Sequence, residues 1–317
     1  MILGFDIGGT KTALVLGTRQ GQILRRAEFA TPARDDFGTA LAQMRAAGAD
    51  FLAQCAQAGL PPADVISVSV GGPLDIARGI LYAPPHLAAW GTAPLKPALE
   101  EAFGLPVHLE HDGNAGALAE WKFGAGQGAR TLIFLTLGTG LGAGIIIDGR
   151  IFHGATDTAG EVGHMRIAPG GPVQYGKAGS WEGYCSGAGM VDLARLYRPQ
   201  RWGPRTTTRE LITLALAGDE DARAVAGQMG EWLGKGLAVL IDVLNPEVIV
   251  LGTLGVTLGD LLIRPALRSV AQEALPAAAA ACRIVPARLG KQLGDIAALM
   301  AVINSLTLPS PDGRGFR

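Results

Sequence analysis

Two glycine turns carry most of the residues that could do chemistry. The first lies in FDIGGTKTALVL, residues 5–16, where Asp6 interrupts an apolar strand and Gly8, Gly9, Thr10 and Lys11 follow. The second lies in LIFLTLGTGLGAGIIID, residues 132–148, with Gly138, Thr139 and Gly140 at its tip. A glycine turn between buried strands can be a packing device. It can also present backbone N–H groups to phosphate oxygens, and two such turns could grip a polyphosphate from both sides. Neither matches a standard phosphate motif. GTGLGAG spaces its glycines by two and so fails GxGxxG; GFDIGGTKT misses the P-loop spacing by one residue; GPVQYGKA has that spacing but ends in Ala178, with no hydroxyl for magnesium. A buried carboxylate at Asp6 needs a partner. A metal ion held by bound phosphates would supply one, with the Thr10 hydroxyl and Lys11 cation close by. The alternative is a strand aspartate capping its own turn.

The elements that must position these turns are legible from pattern. Residues 2–8 read as a strand, 12–17 as its hairpin partner and 22–30 as a third strand. Residues 36–58, Ala-rich and free of proline, read as a helix; 64–70 is a buried strand stopping at Gly71-Gly72-Pro73; 107–112 is a strand running into the helix NAGALAEWKF. Residues 131–152 then repeat the opening: strand, glycine turn, strand, an Asp148-Gly149 hairpin signal and a third strand. This recurrence predicts two related α/β domains, the alternative being chance similarity of apolar hairpins. A loop-rich stretch at 153–180 follows, then helices at about 181–197, 207–217 and 220–244, a strand at 246–252, a helix, a short strand at CRIVPA and the helix GDIAALMAVINSL. The domain reading is 1–110 plus the helix 291–306 as a smaller first domain, 111–290 as a larger second one, and 307–317 as a disordered tail.

Composition narrows the classes. The chain has 317 residues, a formal net charge of −1 and 48% hydrophobic residues, enough for two cores. Near-neutral charge argues against a nucleic-acid partner held by phosphate electrostatics. Cys55, Cys185 and Cys282 form neither a CxxC pair nor an even-numbered framework, so the expectation is a reduced, cytoplasmic protein. No basic region precedes the first apolar residues, so no signal peptide is expected. The most apolar window, LAVLIDVLNPEVIVLG, is broken by Asp242, Asn245 and Pro246, so no membrane span is expected.

Taken together, DIGGTKTALVL at 6–16, GPLD at 72–75, HDGNAGALAE at 111–120, TLGTGLGAGII at 136–146, GEVGHM at 160–165 and SWEGYCSG at 180–187 resemble, in order, the ROK family of sugar kinases and related repressors. LGDIAALMAV at 293–302 is similar to that family's closing helix, so the resemblance covers essentially the whole chain. It implies an α/β protein of the actin-like ATPase fold, two RNase-H-like domains with an interdomain active-site cleft. It also implies ATP with Mg2+ as cofactors, a hexose as substrate and a homodimer.

The resemblance assigns residues as follows. Asp112, in Asp112-Gly113-Asn114, is the general base taking the proton from the attacking hydroxyl. Its place at a helix start favours the ionised form, though an ordinary N-cap is the alternative. Gly72, Pro73 and Asp75 fall in the segment under the sugar, and Glu161, His164 and Glu182 at sugar contacts, where a hydroxyl-rich ligand needs paired donors and acceptors. Surface glutamates and a loop histidine are the alternatives. Asp6, Gly8, Gly9, Thr10 and Lys11 match the first phosphate loop, with Asp6 toward magnesium; Gly138, Thr139 and Gly140 match the second, and Gly252 and Thr253 lie near the adenosine.

Three departures stand out. The family's zinc motif CxCGxxGCLE runs here as VQYGKAGSWE, with Val173, Tyr175 and Ser180 at the cysteine positions. No structural zinc is therefore expected, and the 165–185 loop is expected to hold its shape by packing through Trp181 and Tyr184. His111 replaces an asparagine before the catalytic aspartate, and Pro85-His86 replaces a proline-asparagine pair; both asparagines usually touch the sugar. The leading reading is an ATP-dependent hexose kinase, with glucose first and N-acetylmannosamine or N-acetylglucosamine next. A repressor would need a DNA-binding segment before the first glycine turn, whereas the first strand already begins at Ile2. A noncatalytic sugar sensor is the remaining alternative.

Overall fold

In the computed structural model, which describes residues 1–305, strands β1 (Ile2–Ile7) and β2 (Lys11–Gly17) form an antiparallel hairpin. β3 (Ile23–Ala30) adds to β2. Helix α1 (Phe37–Gln57) starts where the Asp36 carboxylate accepts from the Thr39 N–H. β4 (Val65–Val70) follows, buried at every position. A small sheet of β5 (Leu74–Asp75), β6 (Ile80–Tyr82) and β7 (Thr92–Ala93), a 3-10 helix at Pro85–Trp90 and helix α2 (Leu95–Phe103) come next; sequence pattern anticipated none of these. β8 (Val107–His111) runs straight into α3 (Asp112–Phe123). The sheet order is β3-β2-β1-β4-β8, antiparallel up to β1 and parallel beyond it.

The later chain repeats this plan. Its strands are β9 (Leu132–Leu135), β10 (Ala143–Ile147), β11 (Arg150–Ile151), β12 (Val173–Gln174) and β13 (Lys177–Ala178). Helices α4 (Trp181–Cys185), α5 (Gly187–Tyr197), α6 (Thr208–Ala217) and α7 (Glu220–Leu244) lead to β14 (Val248–Leu251). Helices α8 (Thr253–Leu258), α9 (Asp260–Glu273) and α10 (Pro276–Ala281) precede β15 (Arg283–Pro286), and α11 (Leu293–Ser305) closes the described chain. The order β11-β10-β9-β14-β15 carries the same directions as the first sheet. The duplicated α/β unit read from the two glycine hairpins is therefore present. Two readings need correction. The helix expected over 181–197 is two helices, because Ser186 ends α4 and its hydroxyl accepts from the Gly189 N–H to start α5. The third strand of the second hairpin shrinks to Arg150–Ile151.

Contacts divide the chain into two units. One holds Met1–Ala119, His153–Thr158 and the described chain from Lys291 onward; the other holds Glu120–Phe152 and Ala159–Gly290. Each has its own apolar core. In the first, α11 packs on β1 and β4. Gly4 makes room for it, since a Cβ there would sit 3.0 Å from the Ala298 carbonyl oxygen; a Cβ on Gly17 would run into Leu299. Arg26 pairs with Asp295 at 2.8 Å across 269 positions. The tail expected at 307–317 lies outside the described residues. Among the described residues, no helix is long and apolar enough to cross a membrane.

In the second unit, the fully buried Glu120 accepts from three backbone N–H groups: Ala125 at 2.8 Å, Arg288 at 3.2 Å and Leu289 at 2.9 Å. It fastens the chain after β15 to α3. Glu120→Ala strands these donors, so we expect roughly 3 kcal/mol or more of lost stability, read as a lower denaturant midpoint. An unchanged midpoint would mean that water replaces the carboxylate.

Candidate active site

β1, β4 and β8 are parallel, so their carboxyl ends share one edge, the place where α/β sheets bind ligands. Register puts Asp6 beside Ser69 and Val70 beside His111. The first glycine turn, Gly71-Gly72-Pro73 and His111-Asp112 therefore emerge together. His86, on the 3-10 helix, closes over them. A Cβ on Gly9 would lie 2.9 Å from His86 Cβ, and one on Gly71 would strike the His86 ring and stand 3.4 Å from Asp112 Oδ2. A Cβ on Gly72 would lie 3.0 Å from His111 Cδ2. Glycine at these positions lets two imidazoles and a carboxylate converge.

Asp112 is half exposed at 53%, and its Oδ1 accepts from the Gly113 N–H at 2.6 Å. His111 Nδ1 accepts from the same N–H at 3.2 Å and stands 3.3 Å from Asp112 Oδ1. Burial foremost holds His86 below the ordinary imidazole range; Asp112 opposes this and His111 adds to it. His86 is thus a neutral donor and acceptor at pH 7. The turn itself closes by the Gly8 N–H donating to the Lys11 carbonyl at 3.1 Å. The Lys11 ammonium pairs with Glu28 at 3.2 Å.

Burial pushes the Asp6 carboxyl up to about 6, with repulsion from Asp112 and Asp295 adding and the neighbouring Ser69 hydroxyl and Lys11 ammonium opposing. Desolvation is the dominant cause, so it is the ionised form that the surroundings disfavour. A divalent ion accompanying bound phosphates fits there, since it would favour the ionised form.

Beneath Asp112 sits a cluster that sequence reading missed. Glu110, 4% exposed, accepts from the His111 N–H at 3.0 Å and from Asn114 Nδ2 at 2.9 Å. His153 Nε2 lies 3.2 and 3.0 Å from its two oxygens. That bond raises the His153 pKa above its ordinary value. The segment 153–158 is further tied down where the Ile76 N–H donates to Asp157 at 3.0 Å. Asn114 thus faces inward as a brace. The signal available in the sequence was a lone Glu in the strand VHLEH.

In the second unit, the β9–β10 turn is shaped by the Gly138 N–H donating to the Gly140 carbonyl at 3.1 Å and the Gly142 N–H donating to Thr136 Oγ1 at 3.0 Å. Thr139 is exposed at the tip. Gly252 and Thr253 are brought beside it, because the Gly252 N–H donates to the Leu135 carbonyl at 2.9 Å and the Leu254 N–H to that of Leu137 at 2.8 Å. The glycines of GEVGH do the same for Glu161 and His164. The Ala143 N–H donates to the Gly160 carbonyl at 2.7 Å, and a Cβ on Gly163 would run into the Leu141 carbonyl. Glu182 Oε2 accepts from the Leu141 N–H at 2.8 Å.

The positions where cysteines would stand have other partners. Ser180 caps α4 by accepting from Gly183, and Val173 is exposed. Tyr175 stacks on His164, ring centroids 3.6 Å apart, and donates to Glu182 Oε2 at 2.6 Å. Trp181 is fully buried against Gly236, while Tyr184 donates to the Gly170 carbonyl at 2.7 Å and stacks on Trp232. These two aromatics do pack the loop.

A sequence model of the ROK family matches residues 2–304. The chain belongs to the ROK family. A glucokinase of Halalkalibacterium halodurans is 32% identical, the match covering 93% of this chain and 92% of that protein. The structure of a ROK family glucokinase from Streptomyces griseus in complex with glucose and AMPPNP is 30% identical, with a TM-score of 0.75, 94% of this chain and 97% of that one covered. A ROK family transcriptional regulator, a homologue of the E. coli Mlc protein, superposes with a TM-score of 0.86 at 27% identity, covering 96% of this chain and 78% of that one. The actin-like ATPase fold of ROK proteins accounts for the duplicated sheets.

Proposed function

We propose that this ROK protein is an ATP-dependent sugar kinase that transfers the γ-phosphate to a primary hydroxyl of a hexose, glucose first among them. The observation that carries this reading is the gathering of Asp6, the first glycine turn, His86, His111 and Asp112 at one sheet edge. Phosphoryl transfer needs little covalent help from protein; it needs positioning, charge neutralisation and a base. Asp112, accessible and braced by Glu110, would take the hydroxyl proton. Asp6 would hold Mg2+ with the phosphates of ATP, and the ion would neutralise charge developing on them. Gly8, Gly9, Thr10 and Lys11 would cradle one part of the nucleotide's phosphates, and Gly138, Thr139 and Gly140 another. Gly252 and Thr253 would flank the adenosine. Gly72, Pro73, His86, His111, Glu161, His164 and Glu182 would read the sugar's hydroxyls. The relatives named glucokinase support glucose. A cytoplasmic homodimer follows by analogy with the family alone.

The test is ADP release from the purified protein with Mg-ATP and a panel of hexoses and N-acetylhexosamines. Turnover with glucose above the other sugars supports the reading. Turnover confined to an N-acetylhexosamine moves the substrate to that class, which His86 and His111 would then accommodate. Sugar binding without turnover makes the protein a sensor.

A further inference from the structure

Tyr175 and Gly176 are the two turn residues of the hairpin between β12 and β13, and both have positive φ, 54° and 69°. Such two-residue turns favour Asn-Gly, and a tyrosine there is held in the left-handed region at a cost. A strained residue persists where its surroundings over-determine it. Here they do so twice. The ring lies flat on His164, 21° between planes, and the hydroxyl donates to Glu182. Glu182 in turn accepts from the Leu141 N–H of the glycine turn, and both bonds fall on the one oxygen, Oε2. Two donors on one oxygen fix the orientation of the carboxylate.

We infer that Tyr175 is a positioning residue, which sets the His164 ring and the Glu182 carboxylate toward the sugar, while the Leu141 N–H bond separately ties Glu182 to the second glycine turn. This rests on the sugar-site reading of His164 and Glu182. The hydroxyl is suited to the task. Burial foremost, then its bond to Glu182, pushes its pKa well above the ordinary tyrosine value, so it remains a donor across working pH. A ring stacked on one face of His164 leaves the imidazole edge for a hydroxyl.

Tyr175→Phe keeps the ring and removes the donor; Tyr175→Ala removes both. Glucose affinity would be measured by calorimetry, turnover by ADP release, and the His164 ring protons by NMR, where a stacked tyrosine shifts them upfield. In Tyr175→Phe we expect the upfield shift and the melting temperature retained and glucose affinity about tenfold weaker, the scale of one hydrogen bond to a charged group. In Tyr175→Ala we expect the shift lost, affinity weaker still and KM for ATP within about twofold of the parent, since only the sugar side depends on Tyr175. Unchanged glucose affinity in both variants, with wild-type turnover intact, overturns the positioning role and leaves the kinase reading standing. Glucose binding without turnover in the wild type removes the kinase reading, while the affinity series still decides on Tyr175.

Discussion

Asp112→Asn is expected to lower sugar-dependent ADP release by at least ~10²-fold, the usual scale for losing a general base. The substitution is close to isosteric. The amide oxygen of the new side chain can still accept from the Gly113 N–H that Asp112 holds at 2.6 Å. The brace below, from Glu110 to Asn114 and the His111 N–H, does not involve the Asp112 side chain. Folding and sugar affinity should therefore change little, and the loss should fall on kcat. Matched melting curves and calorimetric sugar binding alongside turnover check this. Unchanged turnover would reduce Asp112 to a residue that starts α3.

Asp6→Asn should separate stability from activity in the opposite sense. The folded carboxyl titrates near 6 against an ordinary 3.8, so between those values the native state holds more protons than the unfolded chain. The contribution of this group to stability is then fullest below 3.8 and is lost as pH rises through about 6, a difference on the order of 3 kcal/mol. With no cation bound, the wild type should carry that penalty in full at pH 8 and only in part at pH 5. The amide of the variant has no charge to desolvate, so the variant should melt several degrees higher than the wild type at pH 8 and lose that part of the pH dependence. It should also lose Mg-ATP turnover by about 10²-fold, with Mg-ATP raising its melting temperature less than it raises the wild type's. A variant that melts no higher at pH 8 would mean that Asp6 is solvated or paired after all.

Much of the fold was legible because glycine hairpins and β-branched runs are local signals. β1 to β4 and β10 follow period-two or fully buried patterns within a residue or two of their observed ends, while β9 stops at Leu135, three residues before the end of the apolar run LIFLTLG. The stretch from Leu74 to Phe103 was not legible, since strands of two and three residues carry no period and the 3-10 helix is kinked at Leu87. Ser186 was hidden because a serine inside an apolar helical run reads as a tolerated polar residue. In the site, local motifs exposed Asp6, Asp112 and the glycines. The pair Glu110–His153 spans 43 positions, and no spacing rule connects them. Tyr175 registered only as a missing cysteine; its use depends on a positive φ that turns its ring onto His164.

The seat of α11 bears on the order in which the polypeptide matures. Gly4 and Gly17 leave a face of β1 and β2 that α11 fills, and Arg26 pairs there with Asp295. On the ribosome, the unit begun first is therefore finished last: its sheet emerges early with an apolar face uncovered, while every strand and helix of the other unit is made before α11 appears. Nascent chains stalled before α11 should present that face to holdase chaperones.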